Sequence, residues 1–236
     1  MKWDCSMSFP QLQRHWQSGR LMRRLRKGPR PAVLDENFVN WTHEFLETEN
    51  PSRYARHRHR EIRRFLKAET CGKCAYCESR IEHVASVHVE HINPKSQCPE
   101  LVVEWENLTL ACPNCNQHKG SYYSELQPLL NPYEVEPRAH LTFTGSLVFG
   151  RPDSDLGKRT VERLKLHRND LKQSREERLK AINHLLSVWA KAEGEDKETF
   201  AGLLREEAGP DREYSEAVTS FLVVMGFPLE LILSPE

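Results

Sequence analysis

Glu90, His91, Asn107, Asn116 and Lys119 bring a carboxylate, an imidazole, two amides and an ammonium into one short stretch of chain. Such groups could serve phosphodiester hydrolysis, which needs an activated water, a Lewis acid on the phosphate and stabilisation of developing charge. An imidazole of near-neutral pKa can take a proton from water. A hard divalent ion such as magnesium or manganese takes oxygen ligands, one or two from protein and the rest from water and phosphate. Glu90 offers a carboxylate oxygen and Asn116 an amide oxygen. Near a strand end, neighbouring side chains point apart, so Glu90 could hold a cation while His91 faces water. Asn107 could fix its loop or orient His91, and Lys119 could meet phosphate. His83 and His88 flank the same segment; His88, two residues before Glu90, could share its face. One helical step from Asn116, His118 is expected to face away.

Two Cys-x-x-Cys pairs, Cys74/Cys77 and Cys112/Cys115, bracket this set. Structural zinc takes four tetrahedral thiolate or imidazole ligands, and each pair supplies two with the right bite. Cys71 and Cys74 make a competing pair; Cys74/Cys77 is favoured because Cys77 leads directly into the next segment. Seven cysteines, an odd number with four in paired spacing, fit metal binding in a reducing compartment better than a disulfide framework. Cys5 and Cys98 read as ordinary thiols.

The elements that must position these groups are short around the site and helical outside it. Ile81 to Val89 is β-branched and broken near Ala85-Ser86, which predicts a β-hairpin. Pro113 is suited to open a helix over Asn114 to Tyr123. Upstream, Asp35 is a candidate cap for a helix carrying Phe38, Trp41, Phe45 and Leu46. Ile62, Phe65 and Leu66 mark another helix. Downstream, Leu141 to Phe149 predicts a second hairpin around Thr144-Gly145. Leu156, Val161, Leu164 and Leu166 predict one helix. Asn169 or Asp170 is expected to cap the next, which carries Leu171, Leu179, Ile182, Leu186 and Trp189. After a Gly-Glu-Asp break, two more helices are expected. The organisation expected is a basic helical region over 1–69, a cysteine-bracketed core over 70–127, and a connector, hairpin and helical region over 128–236.

The 236 residues are 38% apolar and 29% charged, with a formal net charge of zero. The chain as a whole is therefore no basic nucleic-acid binder, but its charge is uneven. Residues 1–80 carry 17 Lys/Arg against 9 Asp/Glu, and residues 190–236 carry 4 against 11. One end suits a polyanion, and the other stays off it or meets protein. Arg56, Arg58 and Arg60, in an alternating run with His57 and His59, are expected to contact phosphate together with Lys95 and Lys119. The opening segment has no apolar signal-peptide core, and no apolar run approaches the roughly 20 residues of a membrane span. A cytoplasmic protein is expected.

The ordered set Cys-x-x-Cys, acid-His-x-x-Pro, Asn-Leu and Cys-x-x-Cys-Asn-x-x-Lys-Gly resembles the HNH, or ββα-metal, nuclease family. That resemblance implies an α+β fold: a small ββα-metal core with structural zinc on Cys74, Cys77, Cys112 and Cys115, framed by helical regions. It implies that His91 is the general base, that Glu90 and Asn116 hold the catalytic cation, and that Asn107 is the middle asparagine. Glu90 and Asn116 stand where the family more often has Asp or His, and His, respectively; both keep an oxygen donor. Leu130-Asn131-Pro132 and the later Thr160, Leu164, Leu166, Leu171 and Arg175 extend the likeness to the PtuB-like effectors of Septu and retron anti-phage systems. Membership there implies a PtuA-like ATPase partner and a DNA or RNA substrate. A stand-alone restriction-type nuclease has the same chemistry without the partner. A non-catalytic zinc module that binds nucleic acid or protein would make the Glu-His-Asn set incidental.

Overall fold

The computed structural model describes residues 24–81 and 88–233. Helix α1 (Ala32–Glu47) and helix α2 (Arg60–Glu69) precede the cysteine core. Pro31 stands at the α1 N-cap and Asp35 lies in its first turn, ion-paired with Arg30, so Asp35 supports this helix through the dipole and does not cap it. Leu34 and Phe45 are buried on α1, whereas Leu46 is exposed.

Strand β1 (His88–His91) pairs antiparallel with β2 (Leu108–Ala111), in a register that sets Glu90 opposite Thr109 and His91 opposite Leu108. The hairpin expected over Ile81 to Val89 falls mostly outside the described residues; Val89 itself belongs to β1 and pairs with Leu110. Among the described residues the partner strand of β1 comes from beyond the long loop, and the four residues of β2 are all buried and complete an apolar layer with α2. Helix α3 (Pro113–Lys119) follows β2 directly and packs on β1. Strand, loop, strand and helix thus make one ββα unit.

Strands β3 (Leu141–Thr144) and β4 (Leu147–Gly150) form the second hairpin, with Gly145 at a φ of 58° in its turn. Helix α4 (Asp155–Leu164) is capped by Ser154, whose hydroxyl accepts from Gly157 N. It ends at Lys165, which adopts the left-handed conformation, so Leu166 lies beyond the helix yet stays buried. Gly157 is needed here: a Cβ would sit 2.0 Å from the His140 carbonyl oxygen. Helix α5 (Asn169–Lys191) has Arg168 at its N-cap. Neither Asn169 nor Asp170 caps it; Asp170 sits in the first turn and accepts from Arg168. The break before helix α6 (Gly194–Glu207) falls at Ala192-Glu193, and Glu195 and Asp196 join the first turn of α6. Helices α7 (Ser215–Val224) and α8 (Leu229–Leu233) follow.

The main apolar core draws from every region, running from Leu34 and Ile62 through Trp105 and Leu110 to Leu164, Tyr214 and Ala217. A second cluster, built on Leu179, Ile182, Leu204 and Phe227, holds the C-terminal helices to one another. Among the described residues no helix is long and apolar enough to cross a membrane.

Candidate active site and metal centre

Side chains alternate along β1. His88 and Glu90 face α3, and His91 faces the other way. On α3, Asn116 and Lys119 share a face because they are three residues apart. The two rows meet pairwise. Asn116 Nδ2 lies 3.0 Å from His88 Nδ1, and Lys119 Nζ lies 2.7 Å from Glu90 Oε1. Lys119 also donates to the His91 carbonyl oxygen at 2.7 Å. It is 3% exposed, so the expected phosphate contact has no support in this placement; Lys119 is the internal counter-charge of Glu90. Burial pushes the Glu90 carboxyl above its ordinary value, and the Lys119 ammonium only partly pulls it back.

On the opposite face, His91 Nε2 lies 2.9 Å from the Val102 carbonyl oxygen. A carbonyl only accepts, so Nε2 carries the proton and Nδ1 keeps its lone pair. Burial is the main cause that lowers the His91 pKa to about 4, with Lys95, Lys119 and Arg58 adding to it against the Val102 bond. The imidazole is therefore neutral at physiological pH, the state a base requires.

Asn107 does not touch His91. Its Oδ1 accepts from Asn93 N at 2.7 Å, and its Nδ2 donates to the Asn93 and Leu101 carbonyls at 3.0 and 3.1 Å. It stitches together the loop whose Val102 holds the imidazole. Of its two expected roles, the structure places it in loop fixation.

His57 is a residue that the charge pattern concealed. In the run of alternating arginines and histidines, Arg56, Arg58 and Arg60 are exposed while His57 is 2% exposed. Its ring meets that of His91 edge-on at 4.7 Å, and its Nδ1 is buried without a hydrogen-bond partner among the described residues. Alternation of basic and imidazole residues was the available signal. Arg56 to Arg58 form a 3₁₀ turn and Arg60 starts α2, so the run is no continuous helical stripe. Arg56 is held bidentately by Glu44, whereas Lys95 bonds the Pro51 carbonyl. His118 is pushed below its ordinary pKa by desolvation, Lys165 and Arg168.

The thiols of Cys74, Cys77, Cys112 and Cys115 converge, all within 4.8 Å of one another. Cys77 and Cys112 are 3.8 Å apart, the separation of two vertices about a tetrahedral zinc with Zn–S near 2.3 Å. Four thiolates this close require a cation, so the donor set fits zinc. Cys71 lies outside the quartet, in the turn after α2. Among the described residues no other group of three or more His, Cys, Asp or Glu converges in this way. Glu90 and Asn116 would thus supply two oxygens to a magnesium-like ion, which fits a cation that keeps water and phosphate ligands. Asn116 spends its Nδ2 on His88, which leaves Oδ1 for that purpose.

Residues 74–122, the span that contains both cysteine pairs, β1, β2 and α3, match the HNH endonuclease family model. A Septu protein PtuB of Bacillus thuringiensis is 34% identical over 151 residues, covering 63% of this chain and 56% of that protein. Through its HNH-like unit this chain is similar to the Septu PtuB proteins. A second Septu protein PtuB, from Bacillus mycoides (strain KBAB4), is 30% identical over 146 residues, 48% of this chain and 49% of its own length. The chain spans about half the length of the curated relatives it matches. The mixed fold with its cysteine quartet is the one that the HNH resemblance implied, and the quartet is the favoured one of the two pairings open to Cys74.

Proposed function

We propose that this chain is a metal-dependent endonuclease that hydrolyses phosphodiester bonds in nucleic acid, as the effector of a Septu-type anti-phage defence with a PtuA-like ATPase. The observation that carries this reading is the locked tautomer of His91: Nε2 is committed to Val102, so Nδ1 is left as an acceptor in a neutral ring. In the proposed reaction His91 Nδ1 takes a proton from the attacking water. Asn107 keeps the loop, and through it the imidazole, in place. Glu90 and Asn116 would hold a magnesium or manganese ion, which when bound supplies Lewis acidity at the phosphate. Cys74, Cys77, Cys112 and Cys115 would hold structural zinc. Arg58, Arg60 and Lys95, with Arg56 if it leaves Glu44, would line the approach of the polyanion.

Plasmid DNA and a long RNA incubated with magnesium test the site. His91→Ala should lower cleavage by about 10²- to 10⁴-fold while the far-UV spectrum and Tm stay at wild-type values. Equal cleavage by the two proteins removes His91 from the mechanism. Co-expression with an ATPase of the PtuA type should recover both chains in one complex; a wholly separate, fully active chain would favour a restriction-type nuclease.

One observation favours the second reading, a non-catalytic zinc module. Glu90 is already neutralised by Lys119. That reading predicts that Glu90→Gln and Asn116→Ala leave the chain's function intact, whereas the endonuclease reading predicts loss with the fold preserved.

A further inference from the structure

Four thiolates around one zinc ion carry a net charge of two negatives, and this quartet is largely buried. The compensating charge comes from outside residues 74–122. Arg168, at the start of α5, reaches Cys115 Sγ with Nη1 at 3.6 Å and Cys112 Sγ with Nη2 at 3.9 Å. Its Nε is held by Asp170 at 3.0 Å, which aims the guanidinium at the sulfurs.

Arg175 follows seven residues later, on the same face of α5 two turns on. It is 2% exposed. Its Nη1 donates to the Leu166 carbonyl at 2.9 Å and lies 3.4 Å from that of Ser146, and the guanidinium lies beside the Phe143 and Tyr214 rings. Among the described residues no carboxylate is ion-paired with it. A buried guanidinium without a counter-charge is strongly unfavourable. Arg175 lines the same cavity as Cys74 and Cys77. Burial pulls it below its ordinary pKa, and Cys77, Tyr214 and Glu78 act in the opposite direction. A hydroxyl chain leads to the same sulfur: Cys77 Sγ is 3.2 Å from Ser79 Oγ, which is 2.9 Å from the Tyr214 hydroxyl.

We infer that Arg168 and Arg175 are the outer-shell counter-charges of the zinc tetrathiolate, so that the metal centre and α5 stabilise each other. This rests on the quartet holding zinc. It does not depend on the chain being a nuclease.

Zinc transfer from the full chain to the chromophoric chelator 4-(2-pyridylazo)resorcinol, at fixed pH, tests it. Wild type should purify with one zinc. Arg168→Gln and Arg175→Met should release it about 10-fold faster or more, as loss of outer-shell partners does elsewhere. Arg175→Lys, which keeps the charge, should restore most of the retention. Leu179→Ala, on α5 but in the second apolar cluster, serves as the destabilised control and should leave transfer unchanged. If Arg175→Met folds poorly, Arg168→Gln carries the comparison, since Arg168 lies at the helix end. A second signature is thermodynamic: zinc removal should lower Tm less in Arg175→Met than in wild type, because no unpaired charge is then left buried. Unchanged transfer in both arginine variants, or equal acceleration by Leu179→Ala, overturns the inference. Wild type that purifies without zinc overturns it as well, and does so before any variant is made.

Discussion

His57 and His91 touch ring to ring although one comes from a basic arm and the other from the end of β1. Val102 holds His91 from one side and the His57 ring walls it from another. His57→Ala would open space beside the imidazole and let it tilt, and small misplacements of a reacting group are costly. The expected outcome is a kcat lower on the order of 10-fold with KM little changed, while His57→Phe, which keeps a ring there, retains most activity. Steady-state cleavage of a labelled duplex separates the two constants; a change confined to KM would assign His57 to substrate binding instead. Asn107→Ala acts one step further away, through three hydrogen bonds that close the loop carrying Val102.

Elements are held to one another here by buried charge as well as by apolar packing. Glu69, at the end of α2, accepts from Gly28 N at 2.7 Å, from Lys27 Nζ at 3.3 Å and from the Tyr133 hydroxyl at 3.1 Å. It thereby ties the segment before α1 to the connector after α3. Burial raises its pKa from 4.5 to about 7, against the pull of Lys27. The folded chain therefore holds this proton more tightly than the unfolded chain. The stability it contributes is complete below the unfolded carboxylate range and is lost as pH rises through the folded value of about 7. Burial also raises Glu216 to about 7, opposed by Arg138, and adds a parallel loss. Urea unfolding of wild type and Glu69→Gln between pH 4.5 and 7.5 should show the variant losing less stability as pH rises. The buried His91, held neutral down to about 4 in the folded chain, contributes a slope of opposite sign that is common to both proteins and cancels in their difference. An unaltered slope in the variant would mean that Glu69 ionises normally in the folded chain. Close approach matters at this scale too. Gly157→Ala would drive a methyl into the His140 carbonyl, push α4 off the β3–β4 hairpin and cost about 1–3 kcal/mol in unfolding free energy.

Across the whole molecule, two candidate metal sites lie on different parts of the ββα unit. The thiol quartet sits where both cysteine turns meet α5, and the oxygen donors sit where β1 meets α3. Their removal should be separable. A zinc-selective strong chelator should lower Tm by several degrees along with cleavage. Withholding magnesium should abolish cleavage and leave Tm unchanged. Differential scanning calorimetry beside a nicking assay reads both; a Tm that follows magnesium would place the second ion in the structure and not in the chemistry.

The sequence alone determined the parts that depend on local geometry. A Cys-x-x-Cys turn has a fixed bite, a strand alternates with period two, and Pro opens a helix, so the quartet, the opposed faces of Glu90 and His91 and the start of α3 could all be read along the chain. Apolar periodicity likewise located the helices with Ile62 and Leu66, Val161 and Leu164, and Leu179 to Trp189. What tertiary structure decided are the encounters between residues far apart in sequence. Cys71 could compete for the metal on spacing but lies outside the cluster. Lys119, legible only as a cation, turned inward to Glu90. Asn107 clasped its loop and left His91 to the Val102 carbonyl. His57 left a basic run for the core, and Arg168 came from beyond residue 122 to reach the thiols of Cys112 and Cys115. Charge and hydrogen-bonding capacity are written in each residue, but which partner satisfies them follows from which surfaces the fold buries together, and that is a property of the packed chain.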